Sequence, residues 1–365
     1  MPRNLLIDSA HFLKSYFSPY PSYLILFVTA ACNARCKHCF YWRQRAAADT
    51  GQELKLDEIT KLAASLDLIY LSISGGEPFL RPDLAEIVEQ FYRRSGLLHL
   101  IVTTNGFHTE RIAAAVARLL KTCPTLKIKV QVSIDDFEKE HDAYRAVPGI
   151  YRKALETLRT LSQRFRAQEP RFGLDIATCL TRSNKSRVLA LHEHLRREVE
   201  FDTHQLLYPR GDAARPEEKE VTPAEYAAAV ALMAGDGIRR NRSPLLAAVN
   251  QRAKRGILRT LQDGAPPWEC LAGGKFISIT EKGIVQPCEI LRQTLPGYES
   301  DLGDLRDFDF DAKRLLDSPQ ARRVVQHIKD THCRCSFECA ANNNVVFDKK
   351  EALGVLKDWL TGRPG

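Results

Sequence analysis

From Tyr23 to Leu207 the chain alternates: short aliphatic or β-branched runs are each followed by a longer segment of helical period. That alternation is the strongest constraint on the fold. The strand-like runs are Tyr23–Val28, Ile69–Ser74, His99–Thr103, Ile128–Ser133, Leu174–Thr178 and Gln205–Tyr208. Helical segments fall between them at Leu56–Leu66, Pro82–Arg94, Glu110–Leu120, Arg152–Arg166 and Asn184–Glu198. Six strands with helices between them predict a parallel sheet covered on its outside, as a partial (β/α)6 TIM-like barrel or a doubly wound sheet. Polar and Gly-containing turns follow the strands at Ser74–Gly76, Thr104–Gly106, Ser133–Asp136 and Pro209–Gly211. In such sheets the functional site forms at the carboxyl ends of the strands, on these loops.

Beyond the alternating region, Thr222, Pro223 and Glu225 have the spacing of an N-cap, a first-turn proline and a capping-box partner. The helix they start is expected to end near Gly235 and Gly237. Ser243–Leu261 reads as another helix, and Gly264, Pro266 and Pro267 then break the chain. The expected organisation is an N-terminal extension over 1–21, a core barrel over 22–240, a helical linker over 241–265 and a small cysteine-rich domain over 266–365. The apolar, aromatic segment His11–Phe17 is expected to cap the base of the barrel.

Of the chain's ten cysteines, eight fall in two groups, at 32–39 and at 270–339. The uncharged stretch Ser15–Ala34 is interrupted by Pro19 and Pro21 and is too short of apolar residues to span a bilayer. No signal peptide is visible, so a cytoplasmic location with reduced thiols is expected, and grouped thiols there more often hold metal than form disulfides. The net charge of +8 on 365 residues is modest, and no interleaved basic–aromatic patch points to nucleic acid.

Cys32, Cys36 and Cys39 directly follow the first strand. Three thiolates this close are suited to wrap one object. A zinc site would want a fourth ligand; a cubane held by three cysteines keeps one iron open for a small molecule. The CxxxCxxC spacing after one strand, with Gly75-Gly76-Glu77-Pro78 after the next, resembles the radical SAM superfamily. The likeness covers about Tyr23 to Gly211.

That resemblance implies a [4Fe–4S] cluster on Cys32, Cys36 and Cys39, with S-adenosylmethionine on the fourth iron. It implies contacts to that ligand from Gly75, Gly76 and Glu77, with Glu77 either touching it or orienting the loop. His38 would stand against the adenine. Thr104-Asn105-Gly106 and Ser133-Ile134-Asp135 match strand-end segments of the family, which places Asn105, Ser133 and Asp135 near the ligand; Asn105 and Asp135 read equally as turn residues bonding their own backbone. Arg145, in an Asp142-xx-Arg145 segment, is a further candidate. Cys123 and Cys179 match nothing and read as buried small hydrophobes.

Cys270, Gly283 and Cys288, then Cys333, Cys335 and Cys339, resemble the auxiliary-cluster domain of the SPASM/twitch group. Five cysteines are too few for the two-cluster form. One auxiliary [4Fe–4S] cluster on Cys270, Cys288, Cys335 and Cys339 is implied, with Cys333 the least certain; structural zinc is the competing occupant. A short hairpin is expected between Cys270 and Cys288. The family also implies electrons from a flavodoxin or ferredoxin-type donor. The implied activity is reductive cleavage of S-adenosylmethionine and hydrogen abstraction from a small-molecule, lipid-linked or peptide substrate, with net oxidation assisted by the auxiliary cluster. The alternative is an iron–sulfur or zinc binding protein without that cleavage.

Overall fold

A computed structural model describes residues 5–240, 244–294 and 300–361. In chain order, α1 (Leu5–Phe17) precedes β1 (Tyr23–Phe27), α2 (Trp42–Ala46) and α3 (Leu56–Ser65). The repeating part continues through β2 (Tyr70–Ser74), α4 (Leu84–Arg94), β3 (His99–Thr104), α5 (Thr109–Thr122) and β4 (Lys127–Ser133). Two helices, α6 (Glu138–Arg145) and α7 (Ile150–Leu161), lead to β5 (Phe172–Cys179), α8 (Val188–Glu198) and β6 (Thr203–Leu207). Two long helices follow, α9 (Pro223–Arg240) and α10 (Pro244–Asp263). The C-terminal part holds β7 (Phe276–Ile279), β8 (Ile284–Gln286), α11 (Leu291–Thr294), β9 (Gly303–Asp304), α12 (Ala312–Leu316), α13 (Pro319–Asp330), α14 (Glu338–Phe347) and α15 (Lys349–Thr361).

One sheet runs β6-β5-β4-β3-β2-β1-β7-β8-β9. The first six strands are parallel neighbours, the six-stranded α/β arrangement that the alternation predicts. Its buried outer face packs on amphipathic helices: Ile87, Val88 and Phe91 of α4, for example, are wholly buried. The inner face alternates with it. In β4, Ile128, Val130 and Val132 are buried, while Lys129, Gln131 and Ser133 on the opposite face are half-buried.

That inner face is polar. Lys129 pairs with Asp175 at 2.9 Å, Tyr70 and His99 stack with ring centroids 4.4 Å apart, and Thr103 donates to Gln131.

The hairpin expected between Cys270 and Cys288 is β7–β8, antiparallel. Its partner was not foreseeable: β7 lies parallel to β1, Tyr23 opposite Phe276. The C-terminal part therefore extends the barrel's own sheet. The helix capped by Thr222 and Glu225 has both reciprocal bonds, at 2.8 and 3.2 Å, but it does not stop at Gly235 and Gly237. It continues to Arg240, since an interior glycine costs a helix only about 1 kcal/mol. α1 meets α14 through Tyr16 and Phe347, stacked at 5.5 Å, and Lys275 ties its C-terminal end through the Tyr16 carbonyl at 2.7 Å.

Candidate cluster and S-adenosylmethionine site

The β1–β2 pairing does not end with the strands. Val28 N donates to Ser74 O, Gly76 N to Thr29 O and Glu77 N to Ala31 O, at 2.8–3.1 Å. This carries the two loops side by side to Cys32. It also explains the glycine pair: a Cβ at Gly75 would collide with the Thr29 carbonyl, and one at Gly76 with the Ala31 carbonyl. Chain-to-chain approach by itself forbids a side chain at either position.

The cysteine loop is then pinned from two sides. Arg35 N donates to Arg145 O at 2.8 Å and Lys37 N to Tyr144 O at 3.3 Å, so the last turn of α6 holds it from behind. From the other side, the segment after β6 reaches it: Arg215 N donates to Lys37 O at 2.8 Å and Ala214 N to Cys39 O at 3.0 Å. Eight residues with no secondary structure of their own are thereby fixed by other elements' backbones.

The three thiols lie in one another's electrostatic field. Burial pushes Cys32 up to about 11 and Cys39 up to about 12, and raises Cys36 as well. Arg145 counters this at Cys32 and Cys36. Metal-free, these are protonated thiols; ligation must displace their protons.

Glu77 is 2 % exposed, and its carboxylate accepts from Phe79 N, Thr104 Oγ1 and Asn105 N, at 3.2, 2.8 and 2.7 Å. It is a strut between the β2 and β3 loops. Asn105 continues the strut, its Nδ2 donating to Asn33 Oδ1 at 2.7 Å inside the cysteine loop, while its Oδ1 accepts from Phe107 N.

Asp135 and Arg145 face each other, both buried. The guanidinium donates twice to Asp135 Oδ2, at 3.0 and 2.6 Å, and Cys179 N donates to Oδ1. Burial would raise the Asp135 carboxyl, but Arg145 and the nearby His38 and His141 outweigh it and hold it down to about 2. His38 stacks on Tyr144 at 5.4 Å and shares a hydrogen bond with its hydroxyl at 3.1 Å. Ser133 ends β4 half-buried. Cys123 and Cys179 are buried.

The second cysteine group is assembled from three chain segments. Cys270 and Cys333 are within hydrogen-bonding reach of each other, and Cys335 lies in the field of Cys270 and Cys288. Cys333, ranked last from sequence, thus sits against Cys270. Cys339 instead contacts the Tyr23 hydroxyl of β1. Burial pushes Cys335 to about 11 and Cys339 to about 12.

One residue that the sequence did not single out joins the two groups. Arg210, after β6, bonds Glu289 at 2.8 Å and Glu338 at 3.0 Å, and its guanidinium lies over Phe40 and Phe337 at 5.5 and 4.6 Å. The signal was present: Glu289 follows Cys288, Glu338 precedes Cys339, and Phe40 follows Cys39.

Among the described residues, no three Cys, His, Asp or Glu side chains close around a single metal ion. Three gathered thiols beside a guanidinium, with Asn33 Nδ2 buried and unpartnered next to Cys32, form a donor set that fits an anionic iron–sulfur cluster.

The loops, the strand order and the thiol trio are those of a radical SAM domain, and residues 26–195 of the chain match the model of the Radical SAM superfamily. Along 357 residues it is 26 % identical to an AdoMet-dependent heme synthase of Methanosarcina barkeri, which takes in 92 % of this chain and 93 % of that one. It is 40 % identical over 102 residues to a GTP 3′,8-cyclase of Haemophilus ducreyi, a match that spans 27 % of this chain and 30 % of the cyclase. The fold is shared with Streptococcus suis SuiB bound to S-adenosylmethionine, at a TM-score of 0.61 and 14 % identity, over 88 % of this chain and 72 % of SuiB. No helix among the described residues is long and apolar enough to cross a membrane.

Proposed function

We propose that this chain cleaves S-adenosylmethionine reductively and uses the resulting radical to abstract hydrogen from a substrate held over the barrel's polar inner face. The observation that carries this is the trio Cys32, Cys36 and Cys39 on a loop fixed by α6 and the β6 loop, beside the Gly75-Gly76-Glu77 turn. The chemistry supplied when cluster and ligand are bound is one-electron reduction of the sulfonium, which parts methionine from a 5′-deoxyadenosyl radical.

This chain's residues do the holding. Cys32, Cys36 and Cys39 would ligate three irons, and the Arg145 cation favours the thiolate forms of Cys32 and Cys36. Glu77 and Asn105 keep the neighbouring loops in register. His38, Ser133 and Asp135 line the same strand ends, where the ligand would lie. Cys270, Cys288, Cys333, Cys335 and Cys339 supply more than the four thiolates that one auxiliary cluster needs, and a net oxidation of substrate is the role we assign to it. The division into a core over 22–240 and an auxiliary region over 266–365, joined by 241–265, is the organisation we adopt, in a reducing cytoplasmic setting.

Lys129, Asp175, Gln131 and His99 on the inner face favour a polar substrate, a small molecule or a peptide, over a lipid tail. The full-length likeness to a protein named as AdoMet-dependent supports the cofactor assignment.

Anaerobically reconstituted protein, reduced with dithionite and given S-adenosylmethionine, is expected to form 5′-deoxyadenosine, read by chromatography. Its absence overturns the proposal in favour of a binding protein. About eight irons per chain are expected for two cubanes, and about four would remove the auxiliary one.

A further inference from the structure

Reductive cleavage needs an electron from outside the chain for each sulfonium broken, so some part of the surface must receive a carrier. From Cys32 to Arg45 the sequence holds four basic residues, Arg35, Lys37, Arg43 and Arg45, and no acidic one. Arg35 and Lys37 flank Cys36. Their backbone N–H groups are tied inward to Arg145 O and Tyr144 O, and both residues are exposed. Exposed Arg215 is fastened to the same loop through its backbone N–H. Arg43 is compensated by Asp212 at 2.8 Å, and Arg35 and Arg45 donate to loop carbonyls. Lys37 lies over the Tyr144 ring at 5.7 Å, and neither it nor Arg215 has a carboxylate partner among the described residues.

Resting on the function proposed above, we infer that Lys37 and Arg215 form the docking face for a small acidic one-electron carrier, which sits directly over the first cysteine loop. A cationic rim recruits an acidic partner through long-range attraction and orients it, mainly by raising the association rate. The face is fixed by the same four backbone bonds that fix the loop, so the carrier's approach and the thiols keep one geometry. A rival face lies in the C-terminal part. There a cleft of about 420 Å³, lined by Cys270, Cys333, Lys329, His332 and Arg334 together with Glu269 and Asp348, opens beside the second cysteine group. Acidic residues stand near both faces, Asp212 and exposed Glu217 beside the first, so what favours the first is that Lys37 lies within the thiol loop itself, between Cys36 and Cys39.

Flavodoxin is the probe. Its affinity for the reconstituted protein, by isothermal titration, and the rate of flavodoxin-driven deoxyadenosine formation are compared with the dithionite-driven rate. Lys37→Gln combined with Arg215→Gln is expected to weaken binding and slow the flavodoxin-driven rate by about fivefold or more, with flatter salt dependence. The dithionite-driven rate and the cluster absorbance should stay within about twofold, as expected of rim charges that act on association alone. Arg334→Gln should change neither. Unchanged binding in the double variant, or loss of binding in Arg334→Gln, overturns the docking face. Absence of dithionite-driven product in the unmodified protein would instead strike at the proposed function and leave the titration result standing.

Discussion

The two cysteine groups solve the same problem in opposite ways. Cys32, Cys36 and Cys39 share eight consecutive residues, and what holds them is backbone: four hydrogen bonds from α6 and the β6 loop. Cys270, Cys288 and the 333–339 stretch come from three segments, brought together by the β7–β8 hairpin and α14, and what holds them is largely side-chain charge, through Arg210, Glu289 and Glu338. A local group can be recognised by spacing and is robust once its loop is pinned. An assembled group depends on the whole fold and on a buried ion triad.

Several substitutions test that contrast. The largest effect is expected from Cys36→Ala, which should abolish deoxyadenosine formation while the C-terminal irons remain; retained cleavage would break the ligand assignment. Cys288→Ala combined with Cys335→Ala, which leaves three of the five C-terminal thiols, should halve the iron, from about eight to about four per chain, with the first cluster's absorbance kept. Arg145→Leu strands the buried Asp135 carboxylate and removes the cation beside the thiols. A loss of about 3–5 kcal/mol in urea unfolding is expected, and a loss under about 1 kcal/mol would mean that the pair does not brace the loop.

The smallest effect concerns pH. Burial, with Arg145 adding to it, holds His141 down to about 3, against roughly 6.5 in an unfolded chain. Its neutral form is native, so its contribution is complete above about pH 6.5 and falls away as pH drops towards 3. The metal-free protein should lose about 2 kcal/mol from this group between pH 7 and pH 5. His141→Asn should lower the slope in urea titrations by this group's share, with His99 and His204, which burial also holds down, supplying more of it; an unchanged slope assigns it elsewhere.

Much of this molecule could be read in its sequence, and the reason is periodicity. Every strand from β1 to β6 lies within two or three residues of its aliphatic run, because a strand buried between sheet and helices must be apolar. The thiol trio was legible because its spacing is local. What escaped was non-local or geometric. Nothing in Phe276–Ile279 says that its neighbour is β1. Arg210 looks like any loop arginine until the chain brings two glutamates to it. The close approach of Gly75 and Gly76 to the carbonyls of Thr29 and Ala31 is visible only once the two loops lie side by side. The pairing of Asp135 with Arg145, ten residues apart, is likewise set by the fold and not by any spacing in the sequence.

The parallel pairing of β1 with β7 has a consequence for the order of events during synthesis. β1 gains β2 as a neighbour soon after it leaves the ribosome, but its other edge stays open until about 250 further residues have been translated. For that interval the strand that feeds the first thiol loop offers an unpaired apolar edge, the kind of edge that invites aggregation. Nascent chains halted before Phe276 should therefore be the chaperone-dependent ones.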